Sequence, residues 1–584
     1  MSSLLTSLRG KMKSAGLDGY FIARSDMFGG EEVRAADERL AALTGFTGSA
    51  GFALILADKA AVFSDSRYSV QLQRQLDPDH FAGYDMQVFG LSDWLADTSH
   101  QLIIGYDGWL VSVSQLERLK AIAPQLSWQT HPHNLVDECW DDRPAYAPRN
   151  IWVMADKLAG MSASEKRAKA ADKVGQSDAG AQLITAPDSV NWLLNIRGDD
   201  LATTPLHLCF ALLDKQGEVT LFGADKAALK SAGYDEAGGY HCLDMSALGA
   251  VLSRYKGQKI TVDKASCPQA VTEMLAEVKV TPHWQADPLQ AMKARKTEAE
   301  IQGMRAAQIS DALAMIAFWH WLDKTADISH LRETDLALKL QQCRAAHPEF
   351  ICESFPAIVG IGANGAVVHY RAQEGEDAAL EKDGVLLIDS GGHYRTGTTD
   401  ITRTFALGRP DEAAIRASSF VLAAHINLAT SRFPAGTNGA QLDAICRQPL
   451  WAQGMEYGHG TGHGVGHVLS VHEGPVSISK RGQLPIDAGQ ILSNEPGYYE
   501  EGAFGIRHEN LVLAHADEGG FISFETLTLV PFDKGLIDAR LLSDEHIGWL
   551  NTYHRHIFAT LSPFLSDEQA VWLQDKTAPI AQSR

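Results

Sequence analysis

Three observations predict an α/β (α+β) chain built from several units. Strand and helix patterns alternate through the first half of the sequence. Its 584 residues exceed one ordinary core at roughly 150 residues per unit. A Pro-containing stretch at 142–148 then separates the first alternating segment from a second.

Taken in order, Leu4, Leu5, Leu8 and Met12 stand at helical spacing, Gly19-Tyr20-Phe21-Ile22 reads as a strand, and 51–56 with 60–63 reads as a hairpin. An α/β domain with a mixed sheet is expected over 1–146. A second α/β unit is expected over 147–290, with a polar helix at 162–174 and strands at 182–185 and 208–213. In a third unit, 291–525, Thr297 and Glu300 have capping-box spacing ahead of a long helix that runs toward Leu322. The remainder, 526–584, is a C-terminal extension whose Ile547, Leu550, Ile557 and Leu561 suit one helix face. That face is equally compatible with packing on its own chain and with pairing two copies.

Composition narrows the classes. With 45% hydrophobic and 21% charged residues the chain reads as soluble and globular. Against 51 basic residues stand 72 acidic ones, and the net charge of −21 argues against nucleic acid or an anionic membrane as partner. Cysteines at 139, 209, 242, 267, 343, 352 and 446 show no Cys-x-x-Cys spacing, so reduced thiols in a cytoplasmic setting are expected. The N-terminal stretch lacks the continuous apolar run of a signal peptide, and no segment approaches the ~20 apolar residues of a membrane span.

The chemistry concentrates between 389 and 509. Asp389, Asp400, His463, Glu495 and Glu509 are four carboxylates and one imidazole, the donor set that two neighbouring dications need to offset their repulsion. Oxygen-rich ligation with one histidine favours hard ions, so Mn²⁺ is expected, with Co²⁺ or Zn²⁺ as alternatives. Water held between two such ions is a nucleophile near neutral pH, and hydrolysis is the natural reaction. Any one of these residues alone is more often solvated or structural. Asp389, however, closes the apolar run Val385-Leu386-Leu387-Ile388 and is expected to be buried, where a carboxylate needs a positive partner. Strands are expected around both Asp389 and Asp400.

Gly360-Ile361-Gly362-Ala363-Asn364-Gly365 matches a dinucleotide fingerprint, but such a loop must open directly into a helix. Residues 366–370 read as a strand instead, and a nucleotide is rejected. His369, His459 and His472 stand near the ligand series and are read either as packing residues or as groups facing the site. His320, His347 and His554 are read as structural. Arg507, two residues before Glu509, would share its face in a strand, pairing with acidic groups or fixing substrate.

The motifs resemble a family closely. Asp389-Ser390-Gly391, Gly397-Thr398-Thr399-Asp400-Ile401-Thr402-Arg403-Thr404, His459-Gly460-Thr461-Gly462-His463-Gly464, Val471-His472-Glu473-Gly474-Pro475, Asn494-Glu495-Pro496-Gly497-Tyr498 and Gly505-Ile506-Arg507 are similar to those of cytosolic-type aminopeptidases P. Gly45-Phe46-Thr47-Gly48-Ser49 and Trp192-Leu193-Leu194-Asn195 extend the resemblance over nearly the whole chain. It implies a pita-bread metallopeptidase catalytic domain after two related creatinase-like α/β domains, the second a copy of the first that the letters do not reveal. It further implies an Xaa-Pro aminopeptidase acting on peptides with proline in second position, and a homodimer. By the same resemblance Glu495 serves as general base as well as metal ligand, His459 and His472 take part in catalysis, and His369, His459, His472 and Arg507 contact substrate. His472 would polarise the scissile carbonyl, and His369 with His459 would accept the proline. His467 and His508 depart from the small and apolar residues expected at their places. Two rivals stand beside this reading: a prolidase cleaving only Xaa-Pro dipeptides, and a pita-bread binding module without catalysis.

Overall fold

The structure, a computed structural model, describes residues 2–98, 101–147, 150–234 and 238–581. Pro148 of the expected linker lies outside them. The chain divides into two compact units, Met1–Asp156 with Met161–Leu289, and Lys157–Gly160 with Gln290–Arg584.

The first unit holds two six-stranded mixed sheets. In one, the strand order is Ala82–Asp85, Ala60–Ser64, Phe52–Leu56, Gly19–Ala23, Leu102–Asp107, Leu126–His131. In the other it is Tyr240–Leu243, Val219–Phe222, Phe210–Asp214, Ala179–Ile184, Lys259–Val262, Thr281–Trp284. Read along either order, successive pairs run parallel, antiparallel, antiparallel, parallel, parallel. The duplication is therefore visible in topology although not in the letters, because strand order follows burial pattern and connection length rather than residue identity. Glu32 clasps the two halves: its carboxylate accepts Ala202 N at 2.7 Å, Thr203 N at 3.0 Å and the Thr204 hydroxyl at 2.7 Å.

The second unit starts from the helix Glu298–Lys324, capped reciprocally by Thr297 and Glu300 as its spacing predicts. Its Trp319 packs edge-on against Phe405 and Trp572. A three-stranded antiparallel sheet (Ile358–Ile361, Gly384–Ser390, Ile401–Leu407) and a six-stranded antiparallel sheet stand beside the hairpin Gly497–Glu500 and Phe504–Arg507. The C-terminal extension is spent on its own chain: Leu550, Tyr553, Ile557, Leu561 and Leu573 are buried in one core with Met315, Trp319 and Phe405. Arg403 fastens it. This fully buried guanidinium donates to Glu509 O, Pro531 O, Val530 O and Asn510 Oδ1, and lies 3.1 Å from the Tyr553 hydroxyl.

Three expectations need correction. Residues 366–370 form no strand; the glycine-rich stretch closes into a 3₁₀ turn, Gly362–Ala366, followed by irregular backbone. A single tight turn offers no helix N-terminus, so the case against a nucleotide loop stands on different geometry. Asp400 sits just before the strand Ile401–Leu407 rather than inside one. Glu509 likewise lies past the end of Phe504–Arg507, so it and Arg507 do not share a strand face.

Buried neutral histidines line the back of this core. His425 Nδ1 donates to Asn494 O at 3.1 Å while its Nε2 accepts from Asn510, and His554 Nε2 accepts from Phe532 N. Burial, with Arg403 nearby, pushes both imidazoles down to about 3. Below the ordinary histidine value near 6.5 the unfolded chain binds protons that the folded chain refuses, so stability is lost as pH falls from about 6.5 toward 3. In urea unfolding at pH 7 and pH 5, His554→Gln should lose less stability on acidification than the wild type, the difference being this histidine's contribution.

Candidate active site

Neighbouring strands bring the acidic residues together. Asp389 lies in Gly384–Ser390 and pairs in register with Thr402, two residues after Asp400. Glu495 follows Ile491–Asn494, and Glu509 precedes Asn510–Ala516, the adjoining strand of the six-stranded sheet. His463 comes from Gly462–Gly464 in that sheet. Here the glycines have a definite purpose: a Cβ on Gly462 would collide with Ser493 O, and one on Gly464 with Glu473 O. Only bare backbone lets the histidine strand approach this closely.

Ligand-capable atoms converge in three overlapping groups, each within 4.8 Å: Asp389, Asp400 and Glu509; His463, Glu495 and Glu509; and Asp400, His463 and His472. All five residues expected to bind metal are included, and His472 joins them. His463 Nδ1 lies 2.9 Å from Gly464 O, a pure acceptor, so Nδ1 carries the proton. Nε2 then points its lone pair toward Asp400 Oδ2 at 3.4 Å and Glu495 Oε1 at 3.5 Å. Thr402 steadies Glu509, donating its hydroxyl to Oε2 at 2.8 Å while Glu509 N donates to Thr402 O at 3.1 Å. Glu495 N is held by Thr461 O at 2.8 Å.

Electrostatically this is a cation site. Burial and neighbouring carboxylates push Glu509 well above the ordinary carboxylate range, and burial raises Asp389 and Glu495 despite the opposing charges of Arg507 and His463. Asp389 Oδ1 is buried without a hydrogen-bond partner, an acceptor aimed into the cluster. Four converging carboxylates, a free acceptor and a preset imidazole lone pair fit two divalent ions.

Arg507 makes the expected acidic pairing. Its guanidinium donates to Asp389 Oδ2 at 2.6 Å, to the Tyr499 hydroxyl at 2.7 Å and to Thr402 Oγ1 at 3.1 Å. Tyr499 in turn lies 2.7 Å from His459 Nε2, while His459 Nδ1 donates to Gly460 O. A continuous hydrogen-bonded path thus links His459 to a ligand carboxylate. His472 is exposed, its ring edge-on to His463 with centroids 4.3 Å apart. His369 is half-buried in the turn after Gly362–Ala366 and belongs to none of the three groups. His467 and His508 are absorbed locally, by Thr396 O at 2.8 Å and the Ser418 hydroxyl at 2.8 Å.

Sequence reasoning missed Thr402, Tyr499 and Arg447. Arg447, fully buried, donates to His459 O, Tyr457 O and Asp443. Its four-residue spacing from Asp443 on the helix Gly439–Trp451 was the available signal.

Arg507→Leu would leave Asp389 facing its acidic neighbours uncompensated. In chelator the variant should lose about 3–5 kcal/mol of stability to urea, and added divalent cation should restore part of it.

The chain matches the Creatinase/Prolidase N-terminal domain over residues 5–139 and again over 142–300, metallopeptidase family M24 over 302–516, and the C-terminal region of peptidase M24 over 520–580. It is 34% identical to a probable Xaa-Pro aminopeptidase P of Laccaria bicolor over 609 residues, covering 99% of this chain and 93% of that one. To aminopeptidase P1 of Arabidopsis thaliana it is 34% identical over 647 residues, spanning all of both chains. An X-prolyl aminopeptidase of Caenorhabditis elegans, described as a cytosolic enzyme with a di-nuclear active site, superposes with a TM-score of 0.92 at 30% identity, covering 99% of each chain.

Proposed function

We propose, for a chain that belongs to the aminopeptidase P family of M24 metallopeptidases, that it releases the first residue of peptides with proline in second position. One observation carries this reading: the five-residue ligand cluster is intact within a chain alike from end to end to Xaa-Pro aminopeptidases. A non-catalytic module would have no physical reason to hold four carboxylates at such a cost in repulsion.

Asp389, Asp400, His463, Glu495 and Glu509 would hold two divalent ions, and the dominance of oxygen donors supports Mn²⁺. Such a pair supplies Lewis acidity toward water and the scissile carbonyl. The chain's own groups do the remainder. Glu495, pushed up by burial, takes a proton from water and returns it toward the leaving nitrogen. His472, exposed beside His463, reaches the carbonyl oxygen of the first residue. His459, held through Tyr499 and Arg507, and His369 form the wall for a proline whose ring fixes φ and removes the N–H. Arg507 acts at least through Asp389, to which its guanidinium donates.

A cytoplasmic setting is supported by seven free cysteines and by the cytosolic nematode relative. For a homodimer the support is family resemblance. Since the extension's helix face is buried in its own chain, pairing there would use the exposed Phe564 and Val571.

Chelator-stripped protein should cleave a tripeptide Xaa-Pro-Xaa only when Mn²⁺ is returned, and Asp400→Asn should abolish the activity. Cleavage of the dipeptide Xaa-Pro alone would move the assignment to prolidase. Cleavage of neither substrate with any divalent ion would favour a binding module.

A further inference from the structure

His472 is the most exposed of the groups gathered at the site, yet the residue beside it is among the most deeply fixed. Glu473 opens the strand Glu473–Ile478 and is 4% exposed. Its Oε1 lies 2.5 Å from Lys296 Nζ and its Oε2 3.2 Å from Lys293 Nζ, and both ammonium groups are buried with it. Lys293 ends the helix Pro288–Ala294, and Lys296 directly precedes the capped start of Glu298–Lys324. Lys296 is itself locked through its backbone N to Gly489 O at 2.8 Å.

Three buried charges are a poor source of stability, since desolvation consumes most of what their attraction returns. What they supply is a defined place. His472 directly precedes the strand that Glu473 opens, so a fixed Glu473 carboxylate anchors the backbone from which the His472 side chain leaves. The approach from His463 is equally restricted. Gly466 N donates to Ser470 O, Val468 N to the Thr398 hydroxyl, and Val468 adopts φ 53°, unusual for a β-branched residue. A Cβ on Gly466 would come within 3.1 Å of Glu473 Oε2, so the turn is moulded onto that carboxylate.

We propose that Glu473, clamped between Lys293 and Lys296, is the positioning residue of His472, holding its imidazole edge-on to His463 where the scissile carbonyl must lie. The inference rests on the aminopeptidase reading for its catalytic consequence, but its geometric part does not.

The test replaces the clamp by a neutral core of similar volume, Lys293→Met, Lys296→Met and Glu473→Gln together. Such a change is expected to leave unfolding stability equal or higher. The kcat on a tripeptide Xaa-Pro-Xaa should nevertheless fall about 10–100-fold with KM little changed, because the carbonyl partner is misplaced while the rest of the site persists. In histidine-labelled metal-free protein, the His472 ring resonance, assigned with His472→Gln, should be single and narrow in the wild type and broadened or multiple in the variant. Should the triple variant not fold, Lys293→Met alone keeps a one-to-one pair and should show the same broadening with a smaller fall in kcat. A folded variant with a narrow His472 resonance and unchanged kcat overturns the proposal. If the wild type cleaves no Xaa-Pro peptide, the aminopeptidase reading fails, while the resonance still decides whether Glu473 positions His472.

Discussion

Like-charge repulsion at one point governs the second unit. Asp389 and Asp400 converge with Glu509 in one group and Glu495 converges with Glu509 in another, and left alone these carboxylates would drive their segments apart or take up protons. Everything that packs behind them resists that separation. Register between Gly384–Ser390 and Ile401–Leu407 fixes two of the carboxylates, and register between Ile491–Asn494 and Asn510–Ala516 fixes the other two. A site assembled on strand ends in this manner has its donors placed by sheet register, which is what preorganisation of a hydrolytic centre requires.

Two arginines divide the remaining work. Arg507 lies among the carboxylates and neutralises Asp389 on the side away from its free oxygen. Arg403 stands behind them, touching no ligand side chain, and gathers the carbonyls of Glu509, Val530 and Pro531 into one bundle. Planar guanidinium groups suit both tasks because several donors leave one rigid fork, whereas a lysine in either place would satisfy fewer acceptors.

Much of this was legible in the sequence, for reasons specific to each part. The five converging residues were readable because their types and order carry chemistry that does not depend on exact geometry. Thr297 and Glu300 announced a helix because a capping box is a purely local device. Thr402 and Tyr499 were not readable, since their function arises from partners 107 and 40 residues away, at Glu509 Oε2 and His459 Nε2, whereas Arg447 left only its spacing from Asp443. The stretch 366–370 misled because β-branched and aromatic letters such as Val367, Val368 and Tyr370 describe a strand only where a partner strand exists; here the glycine run curls into a 3₁₀ turn against the hairpin, with Gly365 and Gly505 in backbone contact. The paired sheets of the first unit escaped notice because topology survives the loss of letter similarity.

The Arg403 tie orders events during synthesis. Its donors hold the carbonyl of the preceding Thr402 and reach forward to Val530 and the Tyr553 hydroxyl. A nascent chain emerging from the ribosome can fold its first unit early, but the carboxylate cluster lacks its backing until residue 553 is free. A chain stalled or clipped before that point would present its acidic strands without the Arg403 tie to Val530 and Tyr553.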